Sequence, residues 1–458
     1  MLKKAILFIF LIIPAIILSD RLIIRPVEGR NIAEKAEKKD RPAIVRLGER
    51  LFRDDRFSTS KGDLPASCST CHLLDEDPQG LRAYADFFNR SWVSSRILDP
   101  RRLELRNSPT LFDVGEMERL HYDGEFPSLE ALVKGTLSGR PMGWLPGEEP
   151  AAFDHVLKVL INDRAEGPGA AGTYREEFRK TFNVDLEKID RERALGLVAK
   201  AIAEFTRTLK TRKDSAYDKF ALLNGLDASP AVGEDGPAFG QKTIARLTRL
   251  EQNKTLKFIP GFGQTELDGL KIFLRTEGEN STGNCVACHT PPNFTDRSFH
   301  NKGISQREYD KLHGEGKFAG LIIPDASTTV RPSSQFREIP SPSNPALVDL
   351  GHWNFVDLKQ SPLRRAGETD DAFLRRMIGT FKTPTLRNLA HTQPYFHDGL
   401  YHKFDEILEE MRLISEMARE SRIRQADEEL LKIRISKADF KPLSAFLDSL
   451  NEDLRRGY

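Results

Sequence analysis

The chain of 458 residues contains four cysteines, and all four fall into two copies of one pattern. Cys68 and Cys71 are followed directly by His72, and Cys285 and Cys288 directly by His289. Two thiols at that spacing can add to the two vinyl groups of one haem. The next residue then brings its imidazole to the iron from one face. A redox dithiol does not require the histidine. A zinc site could draw on all four cysteines, but they lie far apart in the chain and both histidines would be left unexplained. Short disulfides are the remaining alternative, and they too leave the histidines without a role. The pattern therefore predicts two covalently bound haem c groups, with Cys68, Cys71, Cys285 and Cys288 as attachment points and His72 and His289 as proximal iron ligands.

Each motif needs elements that hold it, and the flanking sequence supplies them twice. "RLGERLFRDDRFS" precedes the first motif and "ELDGLKIFLRTEG" the second, both with a helical apolar pattern. A second matched pair follows, beginning "NSPTLFDVGEMERLHYDGEFPSLEAL" at Asn107 and "KTPTLRNLAHTQPYFHDGLYHKFDEIL" at Lys382. From Pro109 to Asp123 is 14 residues, and from Pro384 to Asp398 is again 14. Such register indicates duplication. The expected fold is mainly α: two cytochrome c-like haem domains related by internal duplication, with long loops. The expected divisions are a signal peptide or membrane anchor over 1–25, an N-terminal haem domain over 40–225, a linker over 226–261 and a C-terminal haem domain over 262–452. The stretch from Pro291 to Arg376 is rich in Pro, Ser and Gly and reads as an irregular excursion around the second haem.

With 69 basic against 68 acidic residues, the charge balance argues against nucleic acid or an anionic membrane surface as a partner. At the N-terminus, Lys3 and Lys4 precede an apolar run from Ala5 to Leu18, which Asp20 and Arg21 end. That is the length of a signal h-region and short for a spanning helix, which predicts export to the periplasm. No clean small-x-small cleavage site follows, so an uncleaved anchor is the alternative.

These residues resemble the bacterial di-haem cytochrome c peroxidases, with the methylamine-dehydrogenase maturation enzyme as a cousin. The resemblance runs from about Ile44 to Leu450 and rests on "LGERLF", "CSTCH", "RNSPTL", "YDGEFPSLEAL", "FTRTL", "CVACH", "FTDRSFHN", "FKTPTLRN", "PYFHDG" and "LSAFLDSL". It implies a peroxide-reacting first haem and an electron-transfer second haem with histidine and methionine ligands. The family methionine lies 14 residues beyond the histidine of "HDG", which from His397 is Met411, with Met417 the fallback. Taken alone, Met411 shares an apolar helical face with Ile407 and Ile414 and would read as core. The resemblance further implies a calcium ion between the domains, held by the Asn107 side chain and the carbonyls of Thr392 and Pro394. It implies hydrogen peroxide as substrate, a small cytochrome c or copper protein as electron donor, and often a homodimer.

The sequence departs from the family pattern in three places. No histidine occurs from Leu73 to Leu120, where the peroxidases carry a second ligand for the first iron, so an open, five-coordinate first haem is expected. Tyr122 stands where an inter-haem tryptophan is usual, as an electron relay or simply as packing. His121 beside it is expected at the surface, with a role as proton partner the alternative. The family's distal glutamine and glutamate positions fall on Leu132 and Met142, neither of which can move a proton. Glu148 or Glu149 could replace the glutamate, or Met142 could itself ligate the first iron. The reading is thus a peroxidase fed through the second haem. A maturation-type oxidase acting on a protein or peptide, or a non-enzymatic electron carrier, is the alternative.

Overall fold

The computed structural model describes residues 41–59, 65–73, 85–86 and 106–453, apart from 168, 279 and 329. The segment 1–25, expected to be a signal or anchor, lies outside the described residues. Among the described residues no helix is long and apolar enough to cross a membrane. The chain is mainly helical, with two short antiparallel strand pairs, His72–Leu73 with Ala85–Asp86 and Phe299–His300 with Phe381–Lys382.

The first hydrophobic core runs from Val45 to Leu209. It is built from α1 (Ala43–Arg53), α2 (Leu129–Leu137), α3 (Glu149–Asn162), α4 (Tyr174–Phe182) and α5 (Arg191–Thr206). The second core runs from Tyr217 to Leu450. It uses α6 (Ala216–Leu223), α7 (Gly236–Gln252), α8 (Gln264–Leu274), α11 (Phe404–Arg419) and α12 (Phe440–Asp448). Between α8 and α11 in sequence, α9 (Ile304–His313) and α10 (Asp370–Arg376) contribute to a third core around Trp353, Phe336 and Phe373.

One crossing is repeated in both halves. Gly48 on α1 lies so close to α5 that an added Cβ would meet the Ala201 carbonyl oxygen at 1.9 Å and the Phe205 Cβ at 2.9 Å. Gly269 on α8 faces α12 in the same way, with the Pro442 oxygen at 1.9 Å and the Phe446 Cβ at 2.9 Å. In both halves the helix leading to a C-x-x-C-H motif is thus pressed onto the last helix of its core, with backbones in contact through a glycine.

Local signals explain the helix starts. Asp190 accepts from the Arg193 amide at 2.8 Å to begin α5, and Asp235 accepts from the Ala238 amide at 2.8 Å to begin α7. Ser215 and Asp218 form a capping box at α6. Asp218 also receives the Arg387 guanidinium at 2.8 Å through both nitrogens, which ties the "FKTPTLRN" turn to this helix.

Two expectations about organisation differ from what is observed. Residues 226–261, read as a linker, contain the 17-residue helix α7, whose Phe239 and Leu247 are fully buried in the second core. The last helix of the 40–225 stretch, α6, packs with the second core through Tyr217 and Phe220. Glycine and charge in these stretches suggested loop, whereas the apolar residues at helical spacing decide the packing. The excursion 291–376 likewise has a core of its own.

Candidate active site

The first C-x-x-C-H motif forms a single helical turn, Cys68–Cys71, closed at its start by the Ser67 amide donating to the Thr70 hydroxyl at 2.9 Å. Burial pushes the Cys68 thiol up to about 12. A cavity of about 730 Å³ opens over the motif, walled by Phe52 of α1, Leu132 of α2, Ile202 of α5, Met142 and Trp144. Its remaining side comes from the third-core segment, through Pro332, Ser333, Ser334, Arg337 and Glu338.

The second motif lines a smaller cavity of about 210 Å³ with Cys285, Cys288, His289 and Met411. Burial pushes Cys285 up to about 12. The His289 Nδ1–H donates to the Phe294 carbonyl at 2.9 Å, which leaves the lone pair on Nε2, where Lys302 Nζ stands 3.3 Å away. Burial, with the Lys302 charge adding to it, pushes His289 down to about 3, so the imidazole is neutral and fit to bind metal. Met411 lies on this cavity's wall, whereas Met417 is packed among Ile304, Ile414 and Ile423, with its sulfur 3.9 Å from an Arg307 nitrogen.

Tyr122 lines both cavities, as does Ser108. The Tyr122 ring is 6.5 Å from that of His397, which stacks on Phe381 at 3.6 Å. The loop that carries Tyr122 is tight, closed by an antiparallel bridge between Leu120 and Phe126. Gly124 has φ +73°, and a Cβ there would meet Phe299 at 2.7 Å. Beneath it, Arg106 bridges the buried Asp123 at 2.6 Å and the buried Asp349 at 2.8 Å. Burial alone would raise Asp349, but the Arg106 guanidinium overrides it and holds the carboxyl below the usual range. This bridge joins the first half of the chain to the third core.

The other expected residues are distributed as follows. Leu132 and Met142 both line the first cavity, and Met142 is buried. Glu149 reaches the rim as an exposed residue, whereas the Glu148 carboxylate accepts from the Leu145 amide at 2.9 Å. The Asn107 side chain lies on the carbonyls of Pro394 at 2.5 Å and Phe396 at 3.4 Å, and Thr392 lines the second cavity. Asn107 Oδ1 is buried with no hydrogen-bond partner in the protein. An orphaned amide oxygen beside a main-chain carbonyl is a donor set that suits a hard cation. His121, expected at the surface, keeps 37% of its side chain exposed and also lines the first cavity.

Some site residues went unnoticed in the sequence. Glu125 lines the first cavity, its carboxylate 3.3 Å from His121 Nδ1 and 2.9 Å from an Arg337 nitrogen. Burial would raise this carboxyl, but the bond to His121 and the Arg337 charge hold it below its ordinary value. Its place directly after "YDG" was the available signal. Arg337 carried none, being 212 residues away in the chain.

Residues 42–226 match the family model described as di-haem cytochrome c peroxidase. Over that stretch the chain resembles that family. A cytochrome-c peroxidase, IdrP2, of Denitromonas iodatirespirans is 26% identical over 89% of this chain and 81% of its own length. The methylamine utilization protein MauG of Methylophilus methylotrophus is 23% identical, over 88% of this chain and 81% of its own. The crystal structure of the diheme peroxidase BthA from Burkholderia thailandensis shares the fold, with a TM-score of 0.51 and 17% identity over 90% of this chain and 87% of that one. These similarities make the chain a peroxidase-like oxidoreductase, and its two C-x-x-C-H cavities suit the haem c groups that such relatives imply.

Proposed function

We propose that this di-haem protein is an exported, periplasmic peroxidase that reduces hydrogen peroxide to water at the first cavity. In this reading a small cytochrome c or copper protein delivers electrons at the second. The observation that carries the proposal is the asymmetry of the two cavities: about 730 Å³ lined by His72, against about 210 Å³ lined by His289 and Met411. With a haem in each, the larger space leaves room for an exogenous ligand, and the smaller suits a six-coordinate relay with Met411 as its thioether; Met142, in the wall of the first cavity, is the competing ligand there.

When bound, each haem supplies one-electron redox chemistry and an iron that takes an axial ligand. Around it, the chain's own groups have separable tasks. Cys68, Cys71, Cys285 and Cys288 anchor the macrocycles, and His72 and His289 offer imidazole nitrogens, that of His289 neutral. The Met411 thioether favours the reduced relay. Tyr122, in the wall of both cavities, stands on the route between them. Asn107, with the carbonyls of Thr392 and Pro394, holds a calcium ion that couples the two halves. The division into two haem domains, with α6 and α7 going to the second, belongs to the same proposal, as does cleavage or anchoring of 1–25.

A maturation-type oxidation of a protein is the second reading. It is favoured by the similarity to MauG and by the open first cavity, and disfavoured by Met411. Electron paramagnetic resonance of the oxidised holoprotein should show one high-spin and one low-spin haem, and Met411→Leu should abolish the low-spin species. Peroxide should be consumed at the expense of a reduced small cytochrome c. Two low-spin signals unaffected by cyanide would refute the proposal.

A further inference from the structure

The first cavity poses a chemical problem that the peroxidase reading leaves open. Cleaving hydrogen peroxide requires a group that removes the proton from one oxygen and returns it to the other. The two positions where the family places polar groups for this purpose are Leu132 and Met142, and both line the cavity. The other ionisable groups in its wall include Arg106, Arg140, Glu149 and Glu338. Arg106 is held by Asp123 and Asp349, and Glu149 is exposed at the rim.

We propose that His121 is the acid–base residue of the first cavity, with Glu125 and Arg337 as the residues that position it. His121 lines the cavity and has φ +63°, a left-handed conformation uncommon for a residue with a side chain. Its ring stands edge-on to Phe126 at 4.8 Å, which fixes its tilt. The Glu125 carboxylate lies 3.3 Å from Nδ1 and is itself gripped by Arg337 at 2.9 Å. A carboxylate on Nδ1 selects the tautomer with its proton there and leaves the Nε2 lone pair as the base. The loop is stiff, because Asp123 is fully buried and its carbonyl accepts from His352 Nδ1 at 2.7 Å.

His121, Asp123 and Glu125 are also close enough together to suggest a cation site. Arg106 and Arg337 each take one carboxylate oxygen, and Asp123 Oδ1 accepts from the Glu125 amide, so two positive charges already sit on the cluster and it reads as a hydrogen-bonded network.

The chemistry balances as H2O2 + 2 e⁻ + 2 H⁺ → 2 H2O. His121 Nε2 takes the proton from one peroxide oxygen and gives it to the other, so the O–O bond breaks as the first water leaves. The two electrons come from the donor protein, and two solvent protons complete the second water.

The assignment rests on the open-haem reading, and the test separates the two. Hydrogen cyanide must also lose its proton on binding, so cyanide association at pH 7 reports the base without turnover. His121→Gln in the holoprotein should slow association about 100-fold and leave the high-spin signal of the first haem in place. Glu125→Gln, which keeps the imidazole but loses the carboxylate, should slow it about 10-fold. Unchanged rates in both variants would overturn the proposal. So would a wild-type low-spin first haem that becomes high-spin in His121→Gln and then binds cyanide faster, since His121 would then be an iron ligand. Failure of the wild type to bind cyanide with His121→Gln equally inert would refute the open haem itself.

Discussion

Arg106→Met tests whether the buried bridge beneath Tyr122 holds the halves of the chain together. Arg106 donates to Asp123 at 2.6 Å and to both oxygens of Asp349 at 2.8 Å, and neither carboxylate is exposed. At an effective dielectric near 20, an ion pair with charge centres about 4 Å apart is worth about 4 kcal/mol before desolvation is counted. Removing one partner of a buried pair typically costs about 3–5 kcal/mol, because the other charge stays buried and uncompensated. Here Asp123 keeps the Arg337 guanidinium at 3.7 Å, whereas Asp349 keeps the Gly351 amide at 2.9 Å as its nearest remaining donor. The cost should therefore fall mainly on Asp349, at the lower end, about 3 kcal/mol. Urea unfolding of the holoprotein, followed by circular dichroism, would measure it.

The pH dependence has a definite sign. Asp349 is held below the usual carboxylate range, so its contribution is complete above an unfolded pKa of about 3.9 and is lost as the pH falls through the lower folded value. In the variant the orphaned carboxyl titrates above its unfolded value and can neutralise itself, so the deficit should be largest at pH 7 and shrink below about pH 5. Arg106→Met combined with Asp349→Asn should lose less than Arg106→Met alone. A loss under about 1 kcal/mol, or a deficit that grows on acidification, would refute the reasoning.

Two further substitutions probe the scaffold and the calcium proposal. In Gly269→Ala the new Cβ would stand 1.9 Å from the Pro442 oxygen, so α8 and α12 must move apart. Overpacking of this kind should cost about 3 kcal/mol and lower the melting temperature, as should Gly48→Ala against Ala201; an unchanged melting temperature would mean that the helices are not pressed together there. Calcium at millimolar concentration should raise the melting temperature of the chelator-treated wild type and leave that of Asn107→Ala unmoved, whereas equal shifts would place the ion elsewhere.

How far the sequence could be read depended on whether the relevant chemistry is local. The haem motifs were legible because attachment and ligation use residues within five positions of one another, and no other use accounts for both the thiols and the following imidazole. The duplication was legible for a related reason. Gly48 and Gly269 sit within apolar helical patterns, and the structure uses both at equivalent backbone contacts. Met411 needed a resemblance, because its helical face alone argues only for core, and its place on the cavity wall depends on how α11 packs. The helix α7 was misread because glycine and charge were weighted above the spacing of Phe239 and Leu247, which tertiary packing then buries.

The far wall of the first cavity was the least legible part, for a reason that bears on function. It is assembled from a loop at 121–125, a turn at 142–144 and a segment near 332–338 that joins them only through the third core. A one-dimensional comparison at fixed spacings could see only that Leu132 and Met142 are unable to move a proton. It could not see that Arg337, over two hundred residues on, turns an ordinary glutamate into a fixed carboxylate beside His121. An excursion that alters one wall of a haem pocket can thus carry the specificity that the motifs leave unstated. Substitutions within 332–338 should therefore alter ligand entry at the first haem while leaving the second haem's ligation untouched.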